Sequence, residues 1–472
     1  MSRPGIAALL SALLPGLGQA WLGATRRGFL VMFPLLGLAA AIAGIAAANF
    51  RLLIDGLVEP GVLAAILLGL MVLALYHVLA VNDAYRTGVR IGGATSGRPS
   101  VLLVVLLVVV GMYGSMEYLG VQTYQATSAV FVQPGTGGFQ IPTASFGPDV
   151  TLAPGDTPGP TLVPTPTPNE PAWAVRGRLN LLLIGSDAGP GRWLARTDTM
   201  IVLSVDVATH RAAMFGIPRN IVNVPLAPED QQAFANGRFP QLLNSLYVYA
   251  IGHPNEFPGS SDEDRGFRAV SGAIQELVGV PLDGAVVVNL NGFVDLVNAV
   301  GGLWIDIPHS LFDAHYPKPD GTGYIQVSIK PGCQQLDGIT ALEYARSRHQ
   351  DDDYGRMKRQ QAVLVALDRE LNPISLLGQV PQLLGIAKDN LRITIPPSQF
   401  ADLAQLASHV DSHTIQTIEL SPPDYPEFLD TAEIKAIQKR VRTVFTTTAT
   451  SSGPTPAPTP APTVAPPDCP AT

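Results

Sequence analysis

Residues 178–187 read RLNLLLIGSD. An apolar run that stops at Gly-Ser-Asp has the pattern of a buried strand ending in a polar turn. The theme continues downstream. TMIVLSVDV (199–207) and RAAMFGIP (211–218) are two more strand candidates. FRAVSGAIQELVGV (267–280) has helical spacing, GAVVVNL (284–290) reads as a strand, and NGFVDLVNAVGG (291–302) as a short helix with a glycine stop before the strand LWIDIP (303–308). This alternation predicts an α/β domain, a central mixed sheet flanked by helices on both sides.

Outward from that domain the composition changes. The chain has 472 residues, 47% hydrophobic and only 14% charged, with net charge −8. The low charge is local: 28–50, 62–81 and 101–116 hold no charged residue. Each is long enough, or nearly so, to cross a hydrocarbon core of roughly 30 Å as a helix. The leading segment PGIAALLSALLPGLGQAWLG is broken by Pro15, Gly16 and Gly18, and an interfacial helix, a re-entrant turn and a fourth span all stay open. Arg26 and Arg27 precede the first clear span, and Arg86, Arg90 and Arg98 separate the second from the third. Counting these loops as cytoplasmic places everything after Tyr118 outside. The expected localisation is therefore the cytoplasmic membrane, multi-pass, with an extracytoplasmic C-terminal domain. The divisions are a membrane region (1–120), a Pro/Thr/Gly-rich linker (121–174), the α/β domain (175–446) and a Pro/Thr-rich tail (447–472). Cys333 and Cys469 are too few for a disulfide framework, and their pairing is a poor bet with Cys469 in the tail.

Chemistry is expected beyond the carboxyl ends of strands. Asp187 closes the first strand, and Arg196 and Asp198 precede the second in ARTDTM. Two carboxylates there suit Mg²⁺, which takes few protein carboxylates and keeps water; ordinary turn aspartates are the alternative. Arg219, in IPRN, carries little weight alone. The densest charge is YARSRHQDDDYGRMKRQQ (344–361). Asp351 to Asp353 are placed to cap a helix whose apolar face holds Val363, Leu364 and Leu367. Stepping back by three and four residues reaches Gln360 and then Arg356, whereas Lys358 points away. An inward arginine must be paired or bind an anion, so a salt bridge to Asp353 and an anion site both remain open. Arg346 and Arg348 share a side only if the chain has left the helix begun near GITALEYA. His349 beside them is read as incidental.

These residues resemble the LytR–CpsA–Psr family of membrane-anchored phosphotransferases of bacterial cell-envelope assembly. The resemblance rests on LNLLLIGSD, RTDTMIVLSVD, IPRN, LNSLYVYA, GFVDLVNAVGGLWIDIP and GCQQLDGITALEYARSRHQDDDYGRMKRQQAVLVAL, in order from Leu179 to Leu367. It implies a sheet sandwiched by helices, a long apolar cleft for a polyprenyl chain and an arginine-lined mouth for its diphosphate. It also implies Asp187 and Asp198 as Mg²⁺ ligands, Arg196, Arg219, Arg346, Arg348, Arg356 and Gln360 as the diphosphate-binding set, and Asp353 as the orienting carboxylate. Asp198, Arg196, Arg219 and Arg356 are the expected catalytic residues. The implied partners are a polyprenyl-diphosphate-linked glycopolymer, a cell-wall glycan acceptor and the membrane, with no nucleic acid. Such residues suit phosphoryl transfer, which asks for positioning and charge neutralisation. A lipid pyrophosphatase and a non-catalytic polyprenyl-phosphate binder are the competing functions. The chain departs from the family pattern at Asn220, where Asp is usual, at Gly216, where Ser is usual, and at Gly189 and Pro190, where an arginine is often found.

Overall fold

The structure is a computed structural model that describes residues 2–48, 59–92, 99–131, 141–142, 171–187, 197–318, 322–348, 353–370, 380–411 and 414–446. The chain divides into two compact units, one centred on residues 1–128 and the other on the remainder.

In the first unit, α1 (Arg3–Leu13) and α2 (Leu17–Trp21) form a short hairpin ahead of α3 (Thr25–Ala48), α4 (Pro60–Gly92) and α5 (Pro99–Val130). Among the described residues, the last three are long and apolar enough to cross a membrane. The leading segment makes two helices too short for a crossing. Its glycines answer to packing: Gly16 adopts φ +96°, and a Cβ on Gly18 would overlap the Ala7 carbonyl oxygen. Buried Gln19 ties the hairpin down. It accepts from Ser11 Oγ at 2.8 Å and donates to the Ala80 carbonyl at 3.0 Å and to Asp83 Oδ2 at 3.1 Å. Helix α5 runs to Val130, past the linker boundary expected at residue 121, because MEYLGVQTYQATSAV has no proline or turn signal to stop it.

The second unit is built on a mixed sheet of six strands, in the order β11-β6-β1-β2-β3-β12. These are β1 (Arg178–Ser186), β2 (Thr197–Asp206), β3 (Ala212–Gly216), β6 (Gly284–Asn289), β11 (Leu391–Ile393) and β12 (Gln416–Glu419). Two short pairs, β4 (Val224–Pro225) with β5 (Arg238–Phe239) and β8 (Leu311–Pro317) with β9 (Tyr324–Ile329), and the ribbon of β7 (Leu303–Ile307) with β10 (Gly332–Leu336), complete the strands. β1 runs antiparallel to β2 and parallel to β6, as the expected mixed sheet requires. The helices include α6 (Leu246–Gly252), α7 (Asp262–Val278), α8 (Leu290–Ala299), α9 (Gly338–Arg346), α10 (Asp353–Glu370), α11 (Val380–Asn390) and α12 (Thr431–Arg442).

Strand periodicity sorts the side chains into two environments. On one face Leu182, Ala285, Val287 and Phe215 pack with Phe267, Val270, Ile274 and Ile437 from α7 and α12 into the main core. Leu183 and Gly185 of β1 and Val286 and Val288 of β6 alternate with that set and line a cavity under α8, α9 and α10. Beyond it, Val297, Tyr344, Val363 and Ala366 join the β7–β10 ribbon in a second core. Cys333, on β10, is disulfide-bonded, contrary to the sequence reading, with its partner outside the described residues.

Candidate functional site

The β1–β2 register creates the site. Ser186 pairs with Thr197 beyond an irregularity at Gly185, so Asp187 and Asp198 leave the two strands at the same end. Bulges of this kind re-aim side chains next to ligand sites. Both aspartates line a cavity of about 290 Å³ whose other walls are mainly apolar, including Phe293, Leu296, Leu342, Val363, Leu364 and Leu367. Arg346, Arg356 and Gln360 line the same cavity.

Asp353 is the hub. Its Oδ1 accepts from Arg219 Nε at 3.2 Å, and its Oδ2 from Arg356 Nη2 at 2.8 Å. Arg219 Nη1 reaches on to Asp198 Oδ1 at 2.7 Å. A continuous chain Asp198–Arg219–Asp353–Arg356 thus joins the end of β2, the loop after β3 and the first turn of α10. Arg356 is 2% exposed, and its Nε has no hydrogen-bond partner among the described residues. Of the two alternatives open in the sequence, the salt bridge to Asp353 is present, and it leaves the Arg356 Nε unspent. Gln360 is buried one turn on, its amide 3.4 Å from the Ala345 carbonyl, while Lys358 is exposed, as the helical stepping predicts.

Electrostatics follow from this wiring. Burial pushes the Asp198 carboxyl up, but the Arg219 hydrogen bond and the charges of Arg219, Arg356 and Arg348 outweigh it and hold Asp198 below the usual carboxylate value. Burial pulls Arg356 down to about 10, with Asp353 opposing. It remains a cation at neutral pH. Arg348 is also lowered, chiefly by burial and by the neighbouring charge of Arg219.

Arg346 and Arg348 are brought to the same region because α9 ends between them. Ser347 is extended, with ψ 143°. The Arg348 backbone N–H donates to Asp313 Oδ2 at 3.3 Å, and the Arg346 guanidinium lies 6.0 Å from the centre of the Tyr316 ring. Arg359 is the residue missed in the sequence. It is buried, donates from Nε to the Tyr344 carbonyl at 2.7 Å and from Nη2 to the Ser347 carbonyl, and so satisfies the open end of α9. The signal was available, since stepping back four residues from Val363 lands on Arg359. Arg196, His349, Asp351 and Asp352 lie outside the described residues.

Both departures near Arg219 face a glutamate from the C-terminal segment. Asn220 Nδ2 donates to Glu427 Oε1 at 2.6 Å, and the Tyr354 hydroxyl donates to the same oxygen at 2.7 Å. At Gly216 a Cβ would overlap Glu419 Oε2 and come within 2.9 Å of Met357 Cε and 3.0 Å of Gln361 Nε2. The Glu419 oxygens are buried without a partner among the described residues, and burial raises this carboxyl to about 7.

The donor set fits a hard cation. Among the described residues no group of three or more His, Cys, Asp or Glu gathers to hold a metal. Two carboxylates in one cavity, with no soft ligand, match Mg²⁺, which binds through one or two carboxylates plus substrate phosphates.

The sequence profile of the LytR_cpsA_psr family matches residues 163–447. Curated relatives include the polyisoprenyl-teichoic acid–peptidoglycan teichoic acid transferases TagV of Bacillus subtilis and TagU of Oceanobacillus iheyensis. TagV is 28% identical over 231 residues, covering 48% of this chain and 52% of the relative. TagU is 30% identical over 217 residues, covering 45% and 58%. The chain spans little more than half the length of these relatives. Among solved structures, B. subtilis TagV is 23% identical with a TM-score of 0.42, covering 57% of this chain and 98% of that one. Protein gbs0355 of Streptococcus agalactiae is 22% identical with a TM-score of 0.44, covering 58% and 90%. With the family profile matched over more than half its length, this chain belongs to the LytR_cpsA_psr family.

Proposed function

We propose that this protein is a membrane-anchored phosphotransferase that moves a glycopolymer from a polyprenyl-diphosphate carrier to a cell-wall glycan outside the cytoplasmic membrane, forming a phosphodiester. The observation that carries the reading is the largely apolar cavity whose lining includes Asp198 and Arg356, two residues that Arg219 and Asp353 join into one chain of ion pairs. Such a site matches a ligand with a hydrocarbon chain joined to a polyanion. The relatives named as teichoic acid transferases support the same chemistry. The three apolar helices support anchoring, and the arginines at the start of α3 (Arg26, Arg27) and the end of α4 (Arg86, Arg90) support a multi-pass arrangement with the catalytic domain outside.

In this reading the polyprenyl chain lies along Phe293, Val363, Leu364 and Leu367, and the diphosphate rests against Arg219, Arg346, Arg348, Arg356 and Gln360. Arginine presents fixed donors that stay charged, so these residues hold the non-bridging oxygens in one orientation. Asp353 keeps Arg219 and Arg356 aimed. The acceptor hydroxyl oxygen forms a bond to the glycopolymer-bearing phosphorus, the bridging P–O bond breaks, polyprenyl monophosphate leaves, and the hydroxyl proton is released to solvent. Asp187 and Asp198 would hold Mg²⁺, which supplies neutralisation of phosphate charge when bound.

The test is product analysis with the full chain in detergent, a polyprenyl-diphosphate-linked glycan and Mg²⁺, with and without a peptidoglycan oligomer. A glycan–peptidoglycan conjugate and polyprenyl monophosphate are expected together. Equal cleavage of the diphosphate with and without the oligomer, and no conjugate, would overturn the transfer reading. Asp198→Ala should abolish turnover while lipid binding persists.

A further inference from the structure

Positive charge gathers at one end of the first unit. Asp83, Arg86 and Arg90 of α4 stand at i, i+3 and i+7, so helical spacing puts them on one face. Arg27, at the start of α3, reaches that face and donates from Nη2 to Asp83 Oδ1 at 2.5 Å. Asp83 is the only acid in α3 and α4, and its other oxygen already accepts Gln19 Nε2. Arg26, Arg86 and Arg90 are exposed, with no hydrogen bond or ion pair among the described residues. Arg27, Arg86 and Arg90 around one carboxylate leave two positive charges in surplus along about 10 Å of helix axis.

The same face of α4 identifies the partner. Stepping back from Arg90 and Arg86 by threes and fours passes Asp83 and reaches Leu79, Leu75, Val72 and Leu68. All four are more than half exposed. An exposed apolar stripe thus runs up the helix and ends at the arginines. Residues 28–50 and 62–81 hold no charge, so the cluster also caps the apolar stretches of α3 and α4, at the level where lipid headgroups lie. Trp21, 48% exposed, ends α2 just ahead of α3, and tryptophan favours that level. Arginines suit a phosphate oxygen, and the stripe suits an acyl chain; a soluble anion would use the first and not the second. An anion at this place also offsets the repulsion among the arginines around Asp83. That leaves Asp83 to hold Gln19, the contact that ties the hairpin to α4.

We propose that this face of α4, with the start of α3, binds an anionic phospholipid. Its phosphate is held by Arg27, Arg86 and Arg90, its acyl chain lies along Leu79, Leu75 and Val72, and the bound lipid secures the α1–α2 hairpin. The proposal rests on the reading of α3 and α4 as membrane spans. The experiment titrates the full chain in detergent with phosphatidylglycerol and with phosphatidylcholine. Bound lipid is followed by native mass spectrometry, and the amides of residues 3–21 by hydrogen exchange. The parent should take up phosphatidylglycerol saturably and in preference to phosphatidylcholine, with slower exchange in the hairpin. Each arginine at an anionic headgroup contributes about a fivefold preference. Arg86→Gln with Arg90→Gln should therefore raise the Kd for phosphatidylglycerol roughly twentyfold and abolish the slowing of exchange. Lys435→Gln with Arg440→Gln, which removes the same charge from exposed positions on α12, should change neither. Equal affinity of the parent for the two phospholipids, or an unchanged Kd in the Arg86→Gln, Arg90→Gln variant, overturns the proposal. Full displacement of the lipid by an equal concentration of inorganic phosphate overturns it too, since the stripe would then contribute nothing. Failure of the span reading is distinguishable, because alkaline carbonate would then release the parent chain from vesicles.

Discussion

Asn220 Nδ2 lies 2.6 Å from Glu427 Oε1, an oxygen that also accepts the Tyr354 hydroxyl. The amide is what makes the contact attractive, because an aspartate at 220 has no proton to offer a carboxylate at neutral pH. Asn220→Asp, which restores the residue usual in the family, is therefore expected to lower the transfer rate. The contact is exposed, so the loss should reach no more than about fivefold. Adding Glu427→Gln should recover most of it in a double-mutant cycle. An Asn220→Asp variant faster than the parent would contradict the pairing.

Gly216→Ser should destabilise the fold for a similar reason. The new side chain would enter space held by Glu419, Met357 and Gln361. Overpacking of this kind costs about 1–3 kcal/mol, visible as a lower Tm. Glu419→Ala should restore the Tm of the Gly216→Ser variant by vacating that space.

Glu419 also sets a pH dependence. Its folded-state value, about 7, lies above the 4.5 of a free glutamate. Between those values the folded chain keeps a proton that the unfolded chain loses, so stability falls as pH rises through that window and levels off above it. Glu419→Gln removes the titration. The variant should gain on the order of 1–3 kcal/mol relative to the parent at pH 8, with the gap closing near pH 4.5. Thermal melts across that range, with a constant gap, would contradict the assignment.

Asp353→Asn tests the hub. Arg356 would remain buried beside Arg219 without the carboxylate they share. Removing one partner of a buried pair costs about 3–5 kcal/mol; partial exposure of Asp353 places the expected loss at the lower end, with turnover falling by about two orders of magnitude. Inorganic diphosphate should raise the Tm of the variant more than that of the parent, because it returns negative charge to the two arginines.

The sheet was legible because strands β1, β2, β3 and β6 and helices α7 and α8 carry strong periodicity bounded by turn residues. The inward placement of Arg356 and Gln360 followed from helical spacing alone. The pairing of Asp353 with Arg219 did not, because it joins residues 134 apart that meet only through sheet register. For Arg359 helical stepping marks an inward position, but its task of serving the carbonyls at the end of α9 depends on a contact between two helices that no spacing reveals. Glu419 and Glu427 escaped for a different reason. They sit in segments that carry no motif, and their meaning comes only from the residues they face.

Gln19 has a consequence for how the chain is made. Its partners at Ala80 and Asp83 lie 61 and 64 residues downstream. Within the hairpin Ser11 serves only the amide oxygen, so the buried Gln19 Nε2 depends on α4 for its acceptors, and a buried donor without them is costly in an apolar setting. The hairpin therefore cannot reach its final packing when it first leaves the ribosome. Its closure waits on α4, so the packing of the N-terminal module depends on a contact between segments far apart in sequence rather than on the hairpin alone.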